Sequence, residues 1–134
     1  MKKIIFTLFI GLFLLSSCKE GPVQELVLLP VTEVIEIPTR LEYQNLTNFK
    51  VKFEFPNDCY RFHGFDFTYF RNERTIAVRA LKILDATCND GQLFEFTASF
   101  QMMPEQEDEY IFKFWKGKDT NGNDIFETYV LPVY

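Results

Sequence analysis

Apolar and polar residues alternate with a period of two along much of this chain. The clearest case is Phe49, Val51, Phe53 and Phe55, which point one way while Lys50, Lys52 and Glu54 point the other. That pattern predicts a half-buried antiparallel strand with one wet face. Phe94, Phe96, Ala98 and Phe100 alternate in the same manner with Glu95, Thr97 and Ser99, and Tyr110, Phe112 and Phe114 with Ile111, Lys113 and Trp115. A last strand is expected over residues 124–133. Near the start, Leu26-Val27-Leu28-Leu29 stops at Pro30, and a β-branched run from Val31 to Ile37 stops at Pro38. These two pieces predict one edge strand, kinked or switched at Pro30, because proline is tolerated at edges.

Two segments are less simple. Between Tyr60 and Phe70 a strict period of two puts Tyr60, Phe62 and Phe70 on one face and Phe65, Phe67 and Tyr69 on the other. Aromatics on both faces predict a central strand, or one whose second face is covered. Residues 75–84 read as a strand, but Ala80, Leu81 and Leu84 also fit helical spacing, so a short helix over 79–84 competes. Turn-forming stretches separate all these elements, at Pro56-Asn57-Asp58 and over 71–74, 85–91, 104–109 and 116–123. About seven short strands predict an all-β fold, an antiparallel immunoglobulin-like β-sandwich. A small β-barrel is the alternative.

The first residues obey a different rule. Met1-Lys2-Lys3 is followed by a nearly unbroken apolar run from Ile4 to Leu15, too short to span a bilayer and suited to a secretory signal. Composition turns polar at Lys19-Glu20-Gly21-Pro22. The expected organisation is a signal over 1–17, a tether over 18–25 and a sandwich over 26–134. Leu15-Ser16-Ser17-Cys18 resembles the lipobox of bacterial lipoproteins. That resemblance implies cleavage before Cys18, its lipidation and acylation of the new amino terminus. Acyl chains contribute about 0.8 kcal/mol per buried CH2, so two or three of them hold a chain on a membrane. The location implied is the bacterial cell envelope, as an outer-membrane lipoprotein on the periplasmic face or the cell surface. A free secreted protein is the competing reading.

Charge narrows the partners. The chain has 14 Lys and Arg against 19 Asp and Glu. Loss of Lys2 and Lys3 with the signal leaves 12 against 19, a net charge near −7. No basic cluster interrupts this, which argues against nucleic acid. With Cys18 lipidated, Cys59 and Cys88 remain. An even pair in an oxidising compartment suits a disulfide, with free buried thiols as the alternative. Zinc is disfavoured, since His63 is the only histidine and no Cys-x-x-Cys occurs.

Two stretches, Pro56-Asn57-Asp58-Cys59-Tyr60-Arg61-Phe62-His63-Gly64-Phe65 and the segment from Phe112 through Phe114-Trp115-Lys116-Gly117 to Phe126, resemble segments of small lipoproteins of flavobacteria and their relatives. The resemblance implies an immunoglobulin-like sandwich, pairing of Cys59 with Cys88, and no assigned activity. Trp115 lies after both cysteines, which does not fit the antibody pattern.

Candidate chemistry is sparse. His63 has the right side chain for a general base but no recognisable partner. Asp119, Asn121 and Asn123 have the 1,3,5 oxygen spacing of a Ca2+ loop, yet Asp124 stands where glycine is needed and Val130 where a bidentate glutamate is needed. A hairpin loop with Asn121-Gly122 supplying positive φ is the simpler reading. Glu105, Glu107, Asp108 and Glu109 form an acidic cluster suited to a solvated loop, with a cation or a basic partner as the alternative. Asp58, Asp66 and Asp85 show no paired spacing, and Asn45-Leu46-Thr47 is a glycosylation sequon without meaning on a bacterial lipoprotein. The aromatic surplus, 16 Phe among 134 residues, suits the Phe-rich core of a small sandwich, and it raises one binding hypothesis beside that: Phe65, Phe67 or Tyr69 exposed as a patch for a carbohydrate, a protein or a lipid. The expected function is a membrane-anchored, non-enzymatic binding or structural module of the envelope, without a cofactor, with a protein or glycan as partner. The alternative is a barrel holding an apolar ligand inside.

Overall fold

The computed structural model describes residue 21, residues 23–90 and residues 94–134; Cys18 and the whole signal lie outside them. Eight strands form: β1 (Gln24–Leu29), β2 (Val31–Glu36), β3 (Thr47–Phe55), β4 (Tyr60–Phe70), β5 (Glu73–Ile83), β6 (Phe94–Met102), β7 (Tyr110–Lys118) and β8 (Asp124–Leu131). No helix is present among the described residues. The strands make two packed sheets, one of five strands and one of three, and do not close into a barrel. The barrel alternative, with a ligand inside it, is therefore not the arrangement adopted.

Proline produces the eighth strand. Pro30 has no N–H to give a ladder, so pairing breaks there. β1 pairs antiparallel with β5 in the larger sheet, and β2 pairs with β3 in the smaller one. The expected switch at Pro30 is thus a change of sheet. β1 also starts at Gln24, two residues inside the span expected as tether.

β5 organises the larger sheet. Its full length pairs with β4 on one edge. On the other edge β7 takes Glu73–Ile76 and β1 takes the half from Val78 to Ile83. The β5–β7 pair is parallel, so this sheet is not wholly antiparallel. The competing helix over 79–84 does not form. Ladders on both edges hold the segment extended, and Ile76, Val78 and Ala80 are all fully buried on one face. β7 continues the sheet to β8.

Between the sheets, Phe49, Val51 and Phe53 of β3 meet Ile76 and Val78 of β5 and Tyr110, Phe112 and Phe114 of β7. None of these is more than 1% exposed. Phe49 stacks on Phe100 with centroids 5.0 Å apart and packs against Phe112 at 4.8 Å. The segment between β2 and β3 joins this core through Leu41, whose N–H donates to the carbonyl of Pro132 and whose carbonyl accepts from Tyr134.

Candidate aromatic seam between β4 and β6

β4 carries the largest difference between sequence and structure. Phe62 stands opposite Ala80 and Phe65 opposite Val78, so His63 and Gly64 together face the one residue Arg79. This is a β-bulge, and Gly64 occupies φ +92°, a region closed to most side chains. A single extra residue reverses the parity of everything after it. Tyr60, Phe62, Phe65, Phe67 and Tyr69 consequently share the inward face, and only Phe70 among the aromatics turns outward. β4 is also an edge strand, paired among the described residues with β5 alone. The reading of a central strand with two aromatic faces is corrected on both counts.

β6 is the edge of the other sheet on the same side of the sandwich. Phe100 of β6 packs edge-on against Phe65 and Phe67 at 5.1 and 5.2 Å, closing the gap there. Toward the starts of both strands the gap opens. Phe62 stacks on Phe53 at 5.4 Å, and Phe96 packs on Phe55 at 4.8 Å, but the two edge rings do not close over the floor. The result is an open cleft of about 720 Å³ lined by Phe53, Phe55, Tyr60, Phe62, Phe96 and Ala98. Phe62 is 44% exposed, Phe96 41%, Phe67 39% and Tyr69 67%. At the far end of this seam the Arg74 guanidinium lies between the rings of Tyr69 and Tyr110, at 4.8 and 5.1 Å. One of its nitrogens donates to the carbonyls of Arg71 and Glu73, which fixes the side chain.

The aromatic candidates Phe65, Phe67 and Tyr69 lie together on the inward face of β4, with Phe65 the most covered. Phe62 and Phe96 escaped sequence reasoning because alternation assigns both to an interior face. Gly64 within a strand pattern was the available signal.

The other candidates are arranged as follows. Cys59 and Cys88 form a disulfide with Cα atoms 5.5 Å apart across a sequence separation of 29. On the chain-entropy account, closing a loop of that size stabilises the fold by about 3–4 kcal/mol. The carboxylate of Asp58 lies beside the two sulfurs. Joined sulfurs are not thiolate ligands, and Asp58 Oδ1 accepts the N–H of Asn89 at 2.8 Å. The bridge thus belongs to the fold and not to a metal.

Asp119 spends its carboxylate within its own loop. Oδ1 accepts from the N–H groups of Asn121 and Asn123, both at 2.9 Å, and Gly122 takes φ +81°. Lys118 Nζ reaches Asp124 at 3.3 Å and the Gly122 carbonyl at 3.5 Å. The loop is closed by these internal hydrogen bonds and flanked by strands β7 and β8, as the hairpin reading expects. Asp124 also accepts from Trp115 Nε1 at 3.0 Å. That hydrogen bond, helped by Lys118, holds its carboxyl below the usual range.

His63 is exposed on the bulge. Asp66 pairs with Arg79 at 3.1 Å. Glu105, Glu107, Asp108 and Glu109 are exposed, and the loop that carries them is tied down by the Glu105 N–H, which donates to the Tyr110 hydroxyl at 3.0 Å, and by Asn72 Nδ2, which donates to the Glu109 carbonyl at 2.9 Å. Comparison with known protein families, curated proteins and solved structures found no match to this chain.

Proposed function

We propose that this chain is a lipid-anchored, non-enzymatic binding module of the bacterial envelope, and that its working surface is the aromatic seam between β4 and β6. The seam carries the reading. A sandwich of this size has no need, for its own stability, to leave Phe62, Phe67, Tyr69 and Phe96 partly in water along one side. Rings exposed between two strand edges offer a partner apolar area and unpaired backbone groups at once. That combination favours a polypeptide partner over a glycan, since a sugar uses the rings but has no strand to add.

The anchor rests on Leu15-Ser16-Ser17-Cys18 and on the tether length. Four residues lie between Cys18 and Val23, five Cα steps that reach at most about 18 Å, so the domain lies close to its lipid. The location that follows is the outer membrane. The immunoglobulin-like relationship and the flavobacterial resemblance belong to the same proposal.

The test is the mass of the amino-terminal peptide of protein purified from bacterial membranes, beside a Cys18→Ser variant. The expected result is a diacylglyceryl-modified Cys18 as the first residue, with loss of processing and of lipid in the variant. An unmodified peptide beginning at Met1 would remove the anchor from the account.

A further inference from the structure

We propose that β6 is a self-association edge, to which a second copy of this chain adds its own β6 antiparallel about a two-fold axis through Ala98. This deepens the reading of the seam as the working surface and names its occupant.

Free strand edges are normally protected by bulges, prolines or charges, because a bare edge templates further pairing. The protection is uneven here. β2, at the opposite edge of the same sheet, is irregular at Val31/Glu33 and Val34/Glu36. β4 carries the bulge at His63 and Gly64. β6 runs against β3 for nine residues, from Phe94 to Met102, without a register shift. It contains no Lys, Arg or Pro, and its single charge is Glu95. Glu95 does not guard the edge, since its carboxylate is drawn back across β3 to Lys52 Nζ at 2.8 Å. Hydrogen bonding to Glu95 and Glu33 in turn raises the Lys52 pKa. Gln101 is drawn back likewise, with Nε2 donating to Asn48 Oδ1 at 2.7 Å. Both long polar side chains thus lean inward over their own sheet, and among the described residues no strand pairs with the outer side of Thr97-Ala98-Ser99 in the middle of the edge.

The sequence of β6 is complementary to itself. In an antiparallel pair, residues directly opposite share a face, so only registers that pair like parity are allowed. Centring on Ala98 pairs all nine residues. Phe96 then faces Phe100 of the second copy, Phe94 faces Met102, Thr97 faces Ser99, and Glu95 faces Gln101. Aromatic residues meet on the inward face, small hydroxyls on the outer face, and no like charges oppose each other. Such a pairing is isologous and closes at two copies. It makes the two three-stranded sheets one continuous sheet, and it places a second β6 beside the half-exposed Phe96, where the cleft is open.

Charge variants at Thr97 and Ser99 test this directly, because both residues are exposed and outward. Two differently tagged copies of the full chain are co-expressed and solubilised in detergent, and one tag is captured while the other is measured. The unaltered pair is expected to co-purify. Thr97→Glu with Ser99→Glu in both copies opposes like charges across the two-fold and is expected to cut recovery at least tenfold. Thr97→Lys with Ser99→Lys in both copies does the same. One copy of each kind restores recovery, since every opposed pair then has unlike charge. The mixed sample decides the matter, because the lysines also crowd Lys50 and Lys52 of β3 and the glutamates do not. Recovery insensitive to the charges would reflect copies sharing a micelle and would overturn the proposal. A single-chain mass by light scattering for the unaltered protein would also overturn it, leaving the edge to a strand of another protein. Neither result bears on the lipidation of Cys18, which is read by mass alone.

Discussion

At the scale of single residues, Asp124 is the clearest reporter the chain offers. Its carboxylate accepts from Trp115 and lies beside Lys118, and both partners favour the charged form. A carboxyl whose folded pKa is depressed adds stability above its unfolded value and loses that contribution as pH falls through the folded one. The ordinary value is 3.8, so the loss belongs below that pH. Trp115 is the only tryptophan in the sequence. Its emission should therefore stay constant down to about pH 4 and change as Asp124 protonates below it. Asp124→Asn keeps an acceptor oxygen without the charge, and this acid step should vanish from its titration. A wild-type step centred above 3.8 would contradict the hydrogen bond as the cause. Tyr129 shows the opposite sign: donation to Glu127 at 2.7 Å raises its pKa to about 12. Its contribution is complete below pH 10 and fades as pH climbs toward 12.

At the scale of elements, the question is why some strands were legible and one was not. β3 was legible because one face is core and the other water, so polarity alternates residue by residue. The disulfide was legible because two cysteines remained after Cys18. β1 and β2 were legible through Pro30, whose missing N–H forces a break wherever it falls. β4 was misread because alternation assumes an unbroken pleat. Gly64 inserts one residue, and every side chain beyond it changes face. The same assumption hides most of the seam, since unbroken alternation puts Phe62 and Phe65 on opposite sides. The bulge should be maintained by backbone freedom alone. A Cβ at Gly64 would meet nothing within 4 Å, so Gly64→Ala costs only the strain of φ +92°. A loss of about 1–2 kcal/mol is expected in urea unfolding. No loss at all would mean that the strand relaxes to regular pairing, and Phe62 and Phe65 would then not share a face.

At the scale of the whole molecule, the two populations of phenylalanine must differ in what they do. Phe49 is sealed between the sheets, so Phe49→Ala leaves a cavity and should cost about 3–5 kcal/mol. Phe62 keeps nearly half of its surface in water and touches the core through its stack on Phe53. Fully burying a phenylalanine is worth about 1.5–3 kcal/mol, so half of that plus about 0.5–1.5 kcal/mol for the ring contact gives about 1–3 kcal/mol for Phe62→Ala. Chemical unfolding of the two variants side by side measures the contrast. A ratio near two or more says that the seam rings contribute modestly to the fold and are free to serve association. Equal losses would make Phe62 a core residue at the sandwich rim. The exposure of the seam would then be the ordinary consequence of packing two sheets of unequal width, and its role as a working surface would have no support from the fold.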